Sequence, residues 1–140
     1  VTVYVRGERR EREMRALAAR LGRPVRVASF DAAGQALHSD LVVATTPAGA
    51  TDALCPLVPP RGPAGAPGML FDVVYDPWPT PLAAAWRAAG GTVVGGLDLL
   101  VHQAGVQVEL MTRRSPAPVA AMRTAGEKAL EARGLAADTT

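Results

Sequence analysis

Five short runs of this 140-residue chain set apolar residues side by side with little polar alternation: VTVYV (1–5), VRVASF (25–30), DLVVATT (40–46), DVVY (72–75) and TVV (92–94). A strand with one wet face alternates apolar and polar residues, whereas a strand buried on both faces does not. Helical patterns separate the runs. Met14, Leu17, Ala18 and Leu21 recur at helical spacing ahead of Gly22, and DAAGQALHS (31–39) reads as a short helix. Two further helices are expected from Leu97 to about Arg113 and from Pro116 to about Arg133, with a turn at TPAG (46–49) and a Pro-rich surface loop over 56–67. Buried strands alternating with helices predict an α/β fold of the Rossmann-like class, a parallel sheet with helices on both faces that ends in two C-terminal helices.

Part of that architecture has no counterpart in the chain. Dinucleotide-binding domains open with a strand and a Gly-rich phosphate turn, yet no G-x-G-x-x-G occurs here, and the pairs Gly90-Gly91 and Gly95-Gly96 come too late in the order. The chain therefore reads as a partial domain that lacks its first strand and its Gly-rich turn. With 140 residues and 49% hydrophobic content it is long enough for one core. Its longest apolar runs fall well short of the roughly 20 residues that span a bilayer. A cytoplasmic location is expected.

The stretch DVVYDPWPTPL (72–82) places chemistry in this frame. Asp72 to Tyr75 reads as a short strand, and Pro77 bars Asp76 from the helical region, so the strand ends in a loop. Thr80 is a helix N-cap, Pro81 takes the first helical position, and Gly90 closes the helix. In open α/β sheets, ligands bind at the carboxyl ends of the strands, where Tyr75 presents a phenol.

Fourteen Arg and a single Lys, Lys128, balance the acidic residues to a net charge of +2. Four Arg fall in RGERRER (6–12), but Glu8 and Glu11 interleave with them and the aromatics that stack bases are missing, which argues against a general nucleic-acid surface. Cations at a helix start oppose the helix dipole, so Arg6 and Arg10 suit a bound anion as well as they suit solvent. Arg12 and Arg15 fit i, i+4 pairs with Glu8 and Glu11. On the helix after Gly95, residues Gly96, Leu99, Gln103 and Gln107 form one row, and Leu100, Ala104, Val108 and Met111 form an adjacent core row, with Asp98 and His102 elsewhere. Cys55 is alone, which excludes an internal disulfide and any multi-cysteine metal site, and it reads as a small core residue.

Four of these segments together resemble the C-terminal half of shikimate dehydrogenases. DVVYDPWPTPL is similar to that family's D-x-x-Y-N-P-x-x-T-x-L, GGLDLLVHQAGVQVEL (95–110) to G-L-x-M-L-V-x-Q-A, SDLVVATTPAG (39–49) to A-D-L-V-I-N-A-T-P-x-G, and VYVRGERR (3–10) holds the place of N-R-T-x-x-R. The resemblance implies an NADP-dependent oxidoreductase that interconverts 3-dehydroshikimate and shikimate. It implies that Arg6 and Arg10 meet the 2′-phosphate of NADP, that Thr46, Pro47, Val73, Gly96 and Leu99 line the path from pyrophosphate to nicotinamide, and that Tyr75 and Gln103 touch substrate. The family's proton-relay Lys and Asp belong to an N-terminal substrate domain, so no catalytic residue is expected within 1–140, nor activity from this stretch alone. A catalytically inactive nucleotide-binding module of the same family, a quinate/shikimate dehydrogenase, and another two-domain NADP enzyme such as glutamyl-tRNA reductase or methylene-tetrahydrofolate dehydrogenase are the other readings. The last group does not account for Tyr75 together with Gln103.

Overall fold

A computed structural model of the protein describes residues 1–60 and 66–137. In chain order the elements are β1 (Thr2–Val5), α1 (Glu8–Leu21), β2 (Arg26–Ser29), a 3-10 helix (Phe30–His38), β3 (Leu41–Ala44), a second 3-10 helix (Asp52–Leu57), β4 (Met69–Asp72), α2 (Pro81–Ala88), β5 (Thr92–Val94), α3 (Gly96–Thr112) and α4 (Val119–Ala137). All strand pairing among the described residues is parallel, as the nearly unbroken apolar strands predict. β1 pairs with β2, and β4 lies between β3 and β5. Val1 to Tyr4 and Leu41 to Ala44 line a cavity of about 840 Å³ between the two groups of strands. Among the described residues no strand fills that opening.

Register decides which face of the β3–β4–β5 sheet is core. Val42, Leu70 and Val93 are aligned, as are Leu41 and Met69, and Val43, Phe71 and Val94. Side chains alternate across a strand, so these sets lie on opposite faces. The first face carries the core: Leu70, with Leu37 of the 3-10 helix and Leu82, Ala83 and Trp86 of α2, all fully or almost fully buried. Cys55 is partly buried against this cluster, as a small core residue should be. Burial raises its thiol pKa above the ordinary value, helped by the charge of Asp52.

Local signals set most boundaries. The side chain of Thr80 accepts from the Ala83 N–H, with Pro81 opening α2, and Gly22 closes α1 in the left-handed region. The run 31–39 is helical as expected, within a 3-10 helix capped by Ser29. Two expectations need correction. The Pro-rich stretch begins inside the second 3-10 helix, which contains Pro56, and its residues 61–65 lie outside those described. The fourth strand is Met69–Asp72 rather than Asp72 to Tyr75, so Asp72 ends the strand. Its side chain turns back onto the Val74 N–H and draws the chain away from the ladder.

Candidate site at the carboxyl edge of the sheet

β3, β4 and β5 are parallel, so their C-terminal ends deliver the chain to one edge, followed there by Thr45-Thr46-Pro47, Val73-Val74-Tyr75 and Gly95-Gly96, and Arg6, which follows β1 of the separate β1–β2 pair, reaches that edge through its bond to Ala50. Most of the expected site residues are in that set. Arg6 reaches across to the turn after β3. One of its N–H groups donates to the Ala50 carbonyl at 2.8 Å, and its guanidinium lies over the Phe30 ring at 4.4 Å. A guanidinium has five N–H donors, so most remain for an anion. Thr46 lines the cavity between β1 and β3, and Pro47 follows it with its carbonyl accepting from the Ala50 N–H.

Val73 and Gly96 meet backbone to backbone. The Val73 N–H donates to the Ala44 carbonyl at 3.0 Å, and the Gly96 N–H donates to the Val74 carbonyl at 3.1 Å. A Cβ on Gly96 would lie 2.0 Å from the Val73 oxygen, and one on Gly95 2.7 Å from the Trp78 ring. Only glycine lets α3 begin this close to the loop after β4. Tyr75 is the next residue of that loop and is 38% exposed. Gln103 lies two turns into α3 and is also exposed.

Two expectations about charge and rows change. Arg10 is paired with Glu13 at 2.8 Å within α1, so it enters any anion site only by leaving that partner. On α3 the buried residues are Gly96, Val101 and Gly105, while Leu100 and Met111 of the expected core row are 41% and 85% exposed. The reason is tertiary: α4 packs on α3, and Gly105 admits Val119 and Ala117. Leu99 also does not stand apart from Asp98 and His102. All three line a cavity of about 320 Å³ with Leu41, Met69, Phe71 and Val94, on the sheet face opposite the core.

Two polar groups escaped the reading of the residues. Asp72 is buried and holds Thr80, a pairing hinted at only by an aspartate inside an apolar run eight residues before a threonine cap. Asp98 accepts from the Gly95 N–H and pairs with Arg123 of α4, a partner 25 residues away that no local pattern announces. Burial alone would raise the Asp98 pKa, but hydrogen bonds from Arg123 and Gly95 and the charges of Arg123 and His102 outweigh it and hold the carboxyl below its ordinary value of 3.8. A depressed carboxyl contributes stability that is complete above the ordinary value and is lost as pH falls through the folded value. Asp98→Asn should therefore lose less stability than the parent between pH 5 and 2, read as Tm against pH; parallel curves would rule this out. Among the described residues no group of three or more His, Cys, Asp or Glu is placed to hold a metal. No helix there is long and apolar enough to cross a membrane.

No family model matches the chain. Individual proteins do. It is 36% identical over 98 residues to the shikimate dehydrogenase (NADP(+)) of Synechococcus sp. (strain JA-2-3B'a(2-13)), covering 64% of this chain and 34% of the relative. It is 34% identical over 122 residues to that of Bartonella quintana (strain Toulouse), covering 77% of this chain and 39% of the relative. Among solved structures, the shikimate dehydrogenase of Mycobacterium tuberculosis superimposes with a TM-score of 0.70 at 38% identity, over 89% of this chain and 46% of that one. A shikimate 5-dehydrogenase from Mycobacterium fortuitum gives 0.71 at 37% identity, over 89% and 45%. The chain thus spans less than half the length of each of these proteins.

Proposed function

This chain is similar in sequence and in fold to part of a shikimate dehydrogenase, and from that premise we propose that it is the C-terminal, NADP-binding part of an enzyme that interconverts 3-dehydroshikimate and shikimate. Residues 1–140 are then a partial cofactor domain, the substrate domain with the proton-relay residues lies elsewhere in the protein, and this stretch is inactive alone. NADP, when bound, supplies the hydride acceptor. The residues present fit it at two places. Arg6 stands at the carboxyl edge with free donors and takes the 2′-phosphate, joined by Arg10 once it exchanges Glu13 for the phosphate. Thr46, Pro47, Val73, Gly96 and Leu99 line the rest of the path, where the close approach of Gly96 to Val73 keeps the surface low enough for a dinucleotide to pass. Tyr75 and Gln103 hold shikimate hydroxyls, one from the loop after β4 and one from α3.

The observation that carries this reading is the gathering of Arg6, Thr46, Pro47, Val73, Tyr75 and Gly96 at the ends of parallel strands, the edge where open α/β sheets bind ligands. Its test is cofactor preference in the full-length enzyme. Arg6→Glu combined with Arg10→Glu should raise KM for NADPH by about ten-fold or more, since hydrogen bonds to charged groups contribute about 1.5–3 kcal/mol each, and leave KM for NADH nearly unchanged. Equal effects on both cofactors would remove the 2′-phosphate assignment.

A further inference from the structure

A carboxylate that neither the cofactor path nor the substrate contacts use is nearly completely buried at the base of the site. Asp72 is 2% exposed and Thr80 3%. One carboxylate oxygen accepts from the Val74 N–H at 3.1 Å, and the other accepts from the Thr80 hydroxyl at 2.7 Å. The Thr80 oxygen in turn accepts from the Ala83 N–H at 3.2 Å and so caps α2. Strand end and helix start are thereby tied across the loop that carries Tyr75. Both peptide groups that flank Val74 are held, its N–H by Asp72 and its carbonyl by the N–H of Gly96. What Asp72 fixes is therefore both the residue before Tyr75 and the point from which α3, with Gln103, departs.

We propose that Asp72 is a positioning residue for the substrate site: by clamping Val74 to the head of α2 it sets Tyr75 and the start of α3 relative to each other. This deepens the dehydrogenase reading and rests on it. Only a carboxylate meets the requirement. Both groups facing it are donors, and the Thr80 hydroxyl has one proton, which goes to Asp72 while its oxygen serves the helix. An asparagine of the same shape still accepts from Val74, but its amide group then confronts the Thr80 oxygen with a second donor and leaves the hydroxyl proton without an acceptor in a buried place.

In the full-length enzyme, Asp72→Asn should lower kcat/KM for shikimate about ten-fold or more. In a double-mutant cycle with Tyr75→Phe the two losses should fall well short of adding, because the misplaced phenol has already lost its contact. Thr80→Ser, which keeps the hydroxyl, should stay near the parent. Hydrogen exchange at the Gly96 amide, which does not touch Asp72, should speed up about ten-fold in Asp72→Asn and be normal in Thr80→Ser. Additive losses where Tyr75→Phe alone impairs the enzyme, or an unchanged Gly96 amide, would overturn the proposal. A harmless Tyr75→Phe combined with faster exchange at Gly96 would support the clamp and refute the substrate assignment of Tyr75 instead. Should Asp72→Asn fail to fold, Thr80→Val against Thr80→Ser gives the same comparison from the other end of the bond.

Discussion

Replacing Trp86 with alanine is expected to destabilise the protein by about 3–5 kcal/mol, the range for truncating a fully buried tryptophan. Its side chain has no exposed area and sits in one cluster with Leu37, Leu70, Leu82 and Ala83, so truncation opens a cavity that the sheet, the first 3-10 helix and α2 would have to close together. Two neighbours are fitted to the ring. Its Nε1–H donates to the Gly68 carbonyl at 2.9 Å, and a Cβ on Gly91 would lie 2.4 Å from its Cδ1. The hydrogen bond ties α2 to the residue that leads into β4, while Gly91 leads from α2 into β5. Urea unfolding should show a lower midpoint with little change in m, the sign of lost stability rather than a changed unfolded state. Trp86→Phe, which keeps an aromatic ring and gives up the Gly68 bond, should lose much less. A loss below about 1 kcal/mol for the alanine variant would mean that the core lies elsewhere.

How far residues alone disclosed this molecule depended on the range of the interaction that fixes each feature. α2 was readable because its start is decided within four residues, by Thr80 and Pro81, and α1 because Gly22 supplies the left-handed turn where the apolar spacing stops. The parallel sheet followed from strands without polar alternation. β4 was displaced by three residues because MLFDVVY (69–75) is apolar on both sides of Asp72, and an aspartate in such a run marks a boundary without telling which segment it closes. Its buried contact with Thr80 makes it the end of the strand. The inward face of α3 was misjudged for a different reason. Its own sequence is apolar around most of its circumference, so the face that turns inward is selected by α4, whose approach at Gly105 is not encoded within α3. The positions of the expected site residues were readable where they follow β3, β4 and β5, since parallel pairing sends those strand ends to one edge. Their partners, Ala50 for Arg6 and Glu13 for Arg10, came only with the fold.

The same contrast between local propensity and long-range packing yields the sharpest expectation for the site. Gly96 and Gly105 both lie in α3, and helix propensity alone favours alanine over glycine in a helix interior by about 1 kcal/mol. Packing separates them. At Gly105 a new Cβ would be 3.3 Å from a Val119 methyl and 3.7 Å from the Ala117 Cβ, contacts that a few tenths of an ångström of side-chain movement relieve. Gly105→Ala should be neutral or stabilising. At Gly96 the Cβ would lie 2.0 Å from the Val73 carbonyl oxygen and 2.6 Å from its carbon, and those are backbone atoms of the loop that Asp72 holds down. Either α3 must withdraw and lose the Gly96 N–H bond to Val74, or the loop must move and carry Tyr75 with it. Overpacking of this kind costs about 1–3 kcal/mol, and the displaced segment is the one proposed to line both the cofactor and the substrate. Gly96→Ala should therefore lower thermal stability while Gly105→Ala does not, and in the full-length enzyme it should weaken both NADPH and shikimate, each by about ten-fold or more. Equal melting temperatures for the two variants would show that α3 does not begin against Val73. A destabilised Gly96→Ala enzyme with unaltered KM values would place the binding surface away from the start of α3.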